Sequence, residues 1–136
     1  MKASLLPFLV LVLLSCRKTE EPAPVVENSD LAGAQLLKSG DFVSDAHATS
    51  GQARLYRRND STFLVLESFR TDNGPDLRVL VSPTGTYAQR AELGPLRSTT
   101  GTFRYFVGMD VTPTQLGYVV IWCEDFAVRF GYAPLN

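Results

Sequence analysis

The sequence predicts an all-β protein, a single antiparallel β-sandwich or barrel-like domain that follows a signal peptide and a flexible tether. From Leu37 onward, short runs rich in β-branched and aromatic residues alternate with turns that contain Gly, Pro, Asn or Asp. No segment repeats apolar residues at helical spacing over three turns. A length of 136 residues, with 45% hydrophobic and 20% charged residues, is typical of one globular domain. These observations favour packed antiparallel sheets over a helical architecture.

Residues 1–15 have the pattern of a bacterial lipoprotein signal peptide. Lys2 precedes the apolar run Leu5–Leu14, which is shorter than the roughly 20 residues of a membrane-spanning helix. The run ends in Leu-Leu-Ser-Cys at Leu13–Cys16, a segment that resembles a lipobox. We therefore predict cleavage before Cys16 and lipidation of its thiol. The alternative is an ordinary secretory signal in which Cys16 is incidental.

Residues 16–36 are predicted to form a tether between the lipid and the domain. They contain little apolar periodicity, so they cannot bury enough surface to offset the entropy lost on ordering. Diacylation of Cys16 gives stable anchoring, since each buried CH₂ contributes about 0.8 kcal/mol. We expect residues 37–136 to form an extracytoplasmic domain in the cell envelope, anchored by lipid to a bacterial membrane without spanning it.

The first half of the domain contains a predicted hairpin and a third strand. Ala53–Arg58 and Thr62–Glu67 have strand composition, and the Asn-Asp pair between them fits a two-residue turn. The third strand, Leu77–Val81, follows the turn residues Asn73–Asp76.

The second half contains three more predicted strands. The first has aromatic and aliphatic residues on one face, the second is a continuous apolar run, and the third follows a turn at Glu124 and Asp125. The first of these strands contains Phe103, Tyr105 and Val107, and the second is Tyr118–Cys123. The third has Phe126, Val128 and Phe130 on one face and Arg129 on the other.

The charge balance and the motif content exclude several function classes. There are 13 Lys and Arg against 14 Asp and Glu, so the chain has no basic surplus for binding nucleic acid. No glycine-rich phosphate loop leads from a strand into a helix, which argues against a nucleotide cofactor. One histidine and no paired-cysteine motif argue against a metal centre. No Cys-x-x-Cys-His motif is present, so covalent c-type haem is excluded.

Cys123 is the sharpest chemical feature of the sequence. If Cys16 is lipidated, Cys123 is a single thiol in an extracytoplasmic protein, where cysteines ordinarily pair. Such a cysteine suggests a reactive thiol, a ligand or an intermolecular bridge. The competing interpretation is a buried core residue, because Cys123 lies in an apolar strand beside Ile121 and Trp122. Trp122 lies on the opposite face of this strand from Cys123 and is predicted to be a core aromatic.

Several short motifs together resemble the DM13 domain. They lie in the family's order from Leu37 to Ala133, and the most specific are Gly40 and Phe42 followed by His47 and Gly51, and the Ile-Trp-Cys segment that ends at Cys123. The full set is Leu37–Phe42, His47, Gly51, Phe69, Asn73–Leu77, Leu93–Leu96, Gly101, Tyr105, Ile121–Cys123, Phe126–Gly131 and Ala133. The resemblance implies a β-sandwich that takes part in extracellular electron transfer.

The resemblance also implies that Cys123 acts either as a naked thiol or as a ligand of a prosthetic group such as haem. Thiolate and imidazole are both axial ligands of haem iron, so His47 is the candidate partner of Cys123 if the fold brings them together. His47 lies among small and polar residues, in a predicted loop or strand start. Its other interpretation is a hydrogen-bonded or exposed surface imidazole.

Two functions follow from this sequence. The first is a membrane-anchored redox accessory in which Cys123, as thiol or haem ligand, exchanges electrons with a partner protein. The second is a noncatalytic binding module of the cell envelope in which Cys123 is structural. Both describe an accessory or binding domain rather than a stand-alone enzyme. A thiol that is exposed or lines a cavity near His47 favours the first, and an enclosed thiol favours the second.

Overall fold

The computed structural model describes residues 31–136, which form nine β-strands. The predicted signal peptide and the predicted lipidation site at Cys16 lie outside these residues. The strands are β1 (Gln35–Asp41), β2 (Val43–Ser44), β3 (Thr49–Arg58), β4 (Ser61–Thr71), β5 (Leu77–Ser82), β6 (Ala91–Pro95), β7 (Thr100–Met109), β8 (Tyr118–Cys123) and β9 (Val128–Pro134). Within residues 31–136, no helix is long and apolar enough to cross a membrane.

The strands form two antiparallel sheets that face each other. One sheet has the order β1-β3-β4-β7, and the other has the order β2-β9-β8-β5-β6. Every strand pair in both sheets is antiparallel. The predicted antiparallel β-sandwich is therefore confirmed, in its sandwich form rather than as a closed barrel.

The predicted hairpin is present between β3 and β4. Arg58 pairs with Ser61, which leaves Asn59 and Asp60 as the two turn residues. Asn59 has a φ of 54°, in the left-handed region that two-residue hairpin turns require and that Asn tolerates. Local sequence chemistry therefore sets this register.

The structure adds three strands to the prediction and corrects the start of another. β1, β2 and β6 are short or polar strands in which apolar and polar residues do not alternate clearly. β1 begins at Gln35, two residues before the predicted domain boundary at Leu37. The prediction that Phe126 belongs to the last strand is wrong. Phe126 lies in the turn before β9 and is 69% exposed, because the chain needs Glu124–Ala127 to reverse direction.

The core lies between the two sheets and is built from their inward-facing side chains. On β8 these are the odd-numbered residues, and Cys123 is one of them. The largest fully buried core side chains are Phe69, Phe103, Phe130, Leu55, Leu64, Leu66 and Ile121.

A strap formed by residues 83–90 crosses the outer face of the five-stranded sheet. Leu80 and Val120 are each 1% exposed although they lie outside the inner core cluster. Contacts at its first residues fasten the strap to the sheet. Ser82 Oγ accepts from the backbone N–H groups of Thr84 and Gly85, and Gly85 packs against the ring of Tyr118. The strap therefore gives the outer face a second, smaller hydrophobic layer.

The first and last strands of the domain come into direct backbone contact. The backbone groups of Ser39 and Asn136 exchange two hydrogen bonds of 3.1 Å. At Gly40, a Cβ atom would lie 1.7 Å from the carbonyl oxygen of Pro134. Glycine is required at this position because the two backbones approach too closely for any side chain.

Candidate functional site

Cys123 ends β8 with its side chain enclosed in the core. It is a free cysteine that is 0% exposed, and it pairs across the sheet with Leu77 on one side and Val128 on the other. Leu77 and Val128 both pack in or against the same apolar cluster. The thiol is therefore surrounded by strand side chains and has no open position toward solvent.

His47 lies in the connection between β2 and β3, at the edge of the core. Its imidazole stacks on the ring of Phe130, with centroids 3.8 Å apart and an interplanar angle of 27°. Its Nδ1 is 3.1 Å from Oδ2 of Asp72, and its backbone N–H donates to the carbonyl of Phe130. The side chain is 39% exposed. Stacking, the backbone bond and the carboxylate together fix the ring at the rim of the sandwich.

Cys123 and His47 contact β9 at residues that are two positions apart. Cys123 pairs with Val128, and His47 stacks on Phe130, two residues further along β9. The ring of Phe130 also belongs to the core cluster, so it lies at the boundary between the imidazole and the interior. In this arrangement the thiol has no open coordination position, and the two side chains do not fit a haem held between them. Their role as a ligand pair stays a prediction.

A cluster that the sequence did not predict lies on the outer face of β8. Trp122, the one tryptophan of the chain, is half-buried and stacks on Tyr87 of the strap, with centroids 4.4 Å apart and an interplanar angle of 27°. Arg90 covers Tyr87 as well, with its guanidinium carbon 3.2 Å from the ring centroid. Trp122 therefore belongs to the outer layer, and the prediction that it is a core aromatic is wrong.

Glu124 connects the two aromatic rings through hydrogen bonds. The Tyr87 hydroxyl donates to Oε1 and Oε2 of Glu124, at 3.0 and 3.1 Å. The Trp122 indole N–H donates to Oε2 at 3.1 Å. Partial burial and the hydrogen bond to Glu124 raise the pKa of Tyr87 above its ordinary value. We call Tyr87, Arg90, Trp122 and Glu124 the aromatic cluster.

One signal in the sequence pointed to part of this cluster. Trp122 and Glu124 are two residues apart at the end of a strand, and such residues lie on the same face. Tyr87 is 37 residues from Glu124 and lies in a Gly- and Pro-containing connection, so nothing local marks it as a neighbour.

Ion pairs surround the aromatic cluster on the outer face. Arg78, which pairs with Trp122 across the sheet, binds Asp76 and Glu92 at 2.5 and 2.6 Å. The Arg78 guanidinium lowers the pKa of Asp76, mainly through their hydrogen bonds. Arg129, on the other side of Trp122, binds Asp45 at 2.6 Å. Because cations and anions alternate here, the face carries no strong charge of either sign.

A separate cavity of about 440 Å³ lies between β5, β6 and β7. Its walls include Val81, Val107 and Leu116, with Arg90 among the polar lining residues. Neither Cys123 nor His47 lines it. Within residues 31–136, no group of three or more His, Cys, Asp or Glu side chains is placed to hold a metal ion.

The fold and this site define an antiparallel β-sandwich domain with one enclosed core thiol and a hydrogen-bonded aromatic cluster outside it. The family model for the electron transfer DM13 domain matches residues 41–135. The chain therefore belongs to the DM13 electron-transfer family, as its sequence motifs predicted. Comparison with curated proteins and with solved structures gives no match.

Proposed function

We propose that this chain is an electron-transfer accessory of the bacterial cell envelope, held at the membrane by a lipid on Cys16. Membership of the DM13 electron-transfer family carries the redox part of the proposal. The signal-peptide pattern followed by Leu-Leu-Ser-Cys supports the anchor. A small domain of this kind exchanges electrons with a partner protein rather than turning over a substrate by itself.

The electron-transfer part is tested in cells that lack the protein. Reduction of a membrane-impermeant acceptor such as ferricyanide should fall in the deletion strain and recover when the wild-type chain is restored. Complementation with Cys16→Ala should move the protein from the membrane to the soluble fraction and lower the recovery. An unchanged rate of ferricyanide reduction in the deletion strain would remove the electron-transfer role.

Cys123 is proposed as a redox thiol or a haem-type ligand, with His47 as the second haem ligand. Either role requires the thiol to leave the enclosed position described above, so the proposal includes a local opening at the end of β8. A haem titration monitored by absorption tests the ligand role. A Soret band that saturates at one equivalent and shifts in Cys123→Ser would support ligation. No saturable band in wild type or variant would remove it.

The second candidate function is a noncatalytic binding module of the envelope in which Cys123 is a core residue. The enclosure of the thiol, at 0% exposure, favours this alternative. The reactivity of Cys123 in the native protein separates the two candidates, and its expected magnitude is worked out in the Discussion.

A further inference from the structure

The aromatic cluster is built from side chains that can carry an electron without a bound cofactor. Tyrosine and tryptophan are the two side chains whose rings give up one electron to a strong oxidant, and here they stack face to face at 4.4 Å. At this separation the two π-systems are in contact. Both residues are partly exposed on the outer face, so an oxidant docked there reaches the pair directly.

Glu124 gives the phenol a route for its proton. Oxidised tyrosine is a strong acid, so its hydroxyl proton must leave as the electron leaves. The hydroxyl already donates to both oxygens of Glu124, at 3.0 and 3.1 Å, which is the contact that a general base needs. No proton has to travel through solvent during the step.

Arg90 favours the neutral form of the oxidised ring. Its guanidinium lies over the face of Tyr87, with its central carbon 3.2 Å from the ring centroid. A cation at this distance opposes a second positive charge on the ring. Electron loss without proton loss is therefore disfavoured, and the two events are coupled.

We propose that Tyr87 and Trp122 form a proton-coupled electron relay on the outer face of the sandwich, with Glu124 as the proton acceptor. In the complete step, a strongly oxidising metal centre of a partner protein takes one electron from Trp122, which becomes a radical cation and keeps its indole proton. Tyr87 then passes one electron to Trp122, which returns to its neutral form, and the Tyr87 O–H proton passes to Glu124, which leaves a neutral tyrosyl radical. A reduced metal centre supplies one electron to this radical, and Glu124 returns the proton, which restores the phenol. The inference rests on the proposed electron-transfer function because it names the residues that carry the electron.

Tyr132 provides a matched control on the same face. Arg129 covers its ring with a guanidinium carbon 4.2 Å from the centroid, as Arg90 covers Tyr87. Among the described residues, no carboxylate accepts a hydrogen bond from its hydroxyl. Like Tyr87, Tyr132 has a guanidinium over its ring. Unlike Tyr87, it has no carboxylate to accept its proton and no stacked indole.

The relay is tested by flash oxidation of the full-length chain with a photogenerated ruthenium(III) polypyridyl complex. Transient absorption should show a tryptophanyl radical that converts into a tyrosyl radical. Because the chain has one tryptophan, the first signal reports on Trp122 alone. Tyr87→Phe keeps the stacked ring but removes the phenol, so the radical should remain on Trp122. Tyr132→Phe should behave as wild type.

The proton step is tested by Glu124→Gln, with near-ultraviolet circular dichroism as the check that the stack is retained. The conversion of tryptophanyl to tyrosyl radical should slow by about 10²-fold or more, as expected for loss of a general base. It should also gain a dependence on buffer concentration. If Tyr87→Phe gives the same radical transfer as Tyr132→Phe, or if Glu124→Gln leaves the rate unchanged, the relay is overturned.

These outcomes are separate from the fate of the proposed function. The flash experiment uses an artificial oxidant and no partner protein, so it measures the relay alone. Loss of radical transfer with ferricyanide reduction in cells intact would overturn the relay and keep the electron-transfer role. Radical transfer in the purified chain, together with unchanged ferricyanide reduction in the deletion strain, would keep the relay and overturn the electron-transfer role in cells.

Discussion

The enclosure of Cys123 predicts strong protection of its thiol from chemical labelling. The measurement uses a full-length chain with Cys16→Ser, so that Cys123 is the one remaining thiol. A disulfide-exchange reagent is added to the native protein, and the release of its chromophore is followed with time. The reference is the same chain in concentrated urea, and the blank is the chain in which Cys123 is also replaced.

The magnitude follows from the position of the side chain. Cys123 is 0% exposed and lies between Leu77 and Val128, so a reagent larger than water reaches it only after the surrounding strands separate. If that opening costs the whole stability of a small domain, at least about 5 kcal/mol, labelling slows by roughly 10³- to 10⁴-fold, since each 1.4 kcal/mol is a factor of ten. The labelling rate should then rise with urea with the slope of global unfolding.

A different result would refute this reasoning. Labelling within about tenfold of the unfolded rate, with no dependence on urea, would show that a small local opening exposes the thiol. The end of β8 and the Glu124–Ala127 turn would then be the opening segment. That outcome would support Cys123 as a redox thiol, whereas full protection supports its role as a core residue.

Three further predictions concern stability. Thr62→Val should stabilise the domain by about 1 kcal/mol, because the fully buried Thr62 Oγ1 has no hydrogen-bond partner among the described residues. Gly40→Ala should destabilise it by at least about 2 kcal/mol, because the new Cβ would collide with the carbonyl oxygen of Pro134. Both changes are measured as urea midpoints. Above pH 10, the wild type should lose stability more steeply than Tyr87→Phe. The raised folded-state pKa of Tyr87 makes its contribution complete below the ordinary value of 10.0 and lost as pH rises through the folded pKa.

Each of these predictions has a control within the chain. Thr71→Val should destabilise, since Thr71 Oγ1 bonds to Thr49 Oγ1 and to the carbonyl of Ala48. If both Thr variants shift the midpoint in the same direction, unsatisfied burial does not explain Thr62. Gly33→Ala meets no atom within 4 Å and should cost only its positive-φ strain, about 1 kcal/mol. Equal losses at both glycines would contradict the clash. For the alkaline limb the control is Glu124→Gln, which weakens the hydrogen bond that helps to raise the pKa of Tyr87 and should reduce the extra loss of stability.

Strands with strong local signals could be predicted from the sequence. The apolar run Tyr118–Cys123 predicts β8 with its exact bounds, and the turn at Asn59 and Asp60 sets the β3–β4 register. The predicted start of the last strand at Phe126 is wrong for a physical reason. An aromatic residue at the right parity looks like a strand residue, but the chain reversal from Glu124 to Ala127 consumes that position. Periodicity reports which face a residue can occupy and not how many residues a turn requires.

The misplacement of Trp122 shows why the candidate site could only partly be predicted. Alternation correctly put Trp122 and Cys123 on opposite faces of one strand. It could not show that the outer face is covered as well, because the covering strap comes from a Gly- and Pro-containing connection whose path is fixed by tertiary contacts with Tyr118 and Trp122. The residue that the sequence marks most clearly, Cys123, is therefore a thiol enclosed in the core. Trp122, through which the proposed relay is oxidised, lies one residue away on the other face of the same strand, and Tyr87 stacks on it from the strap.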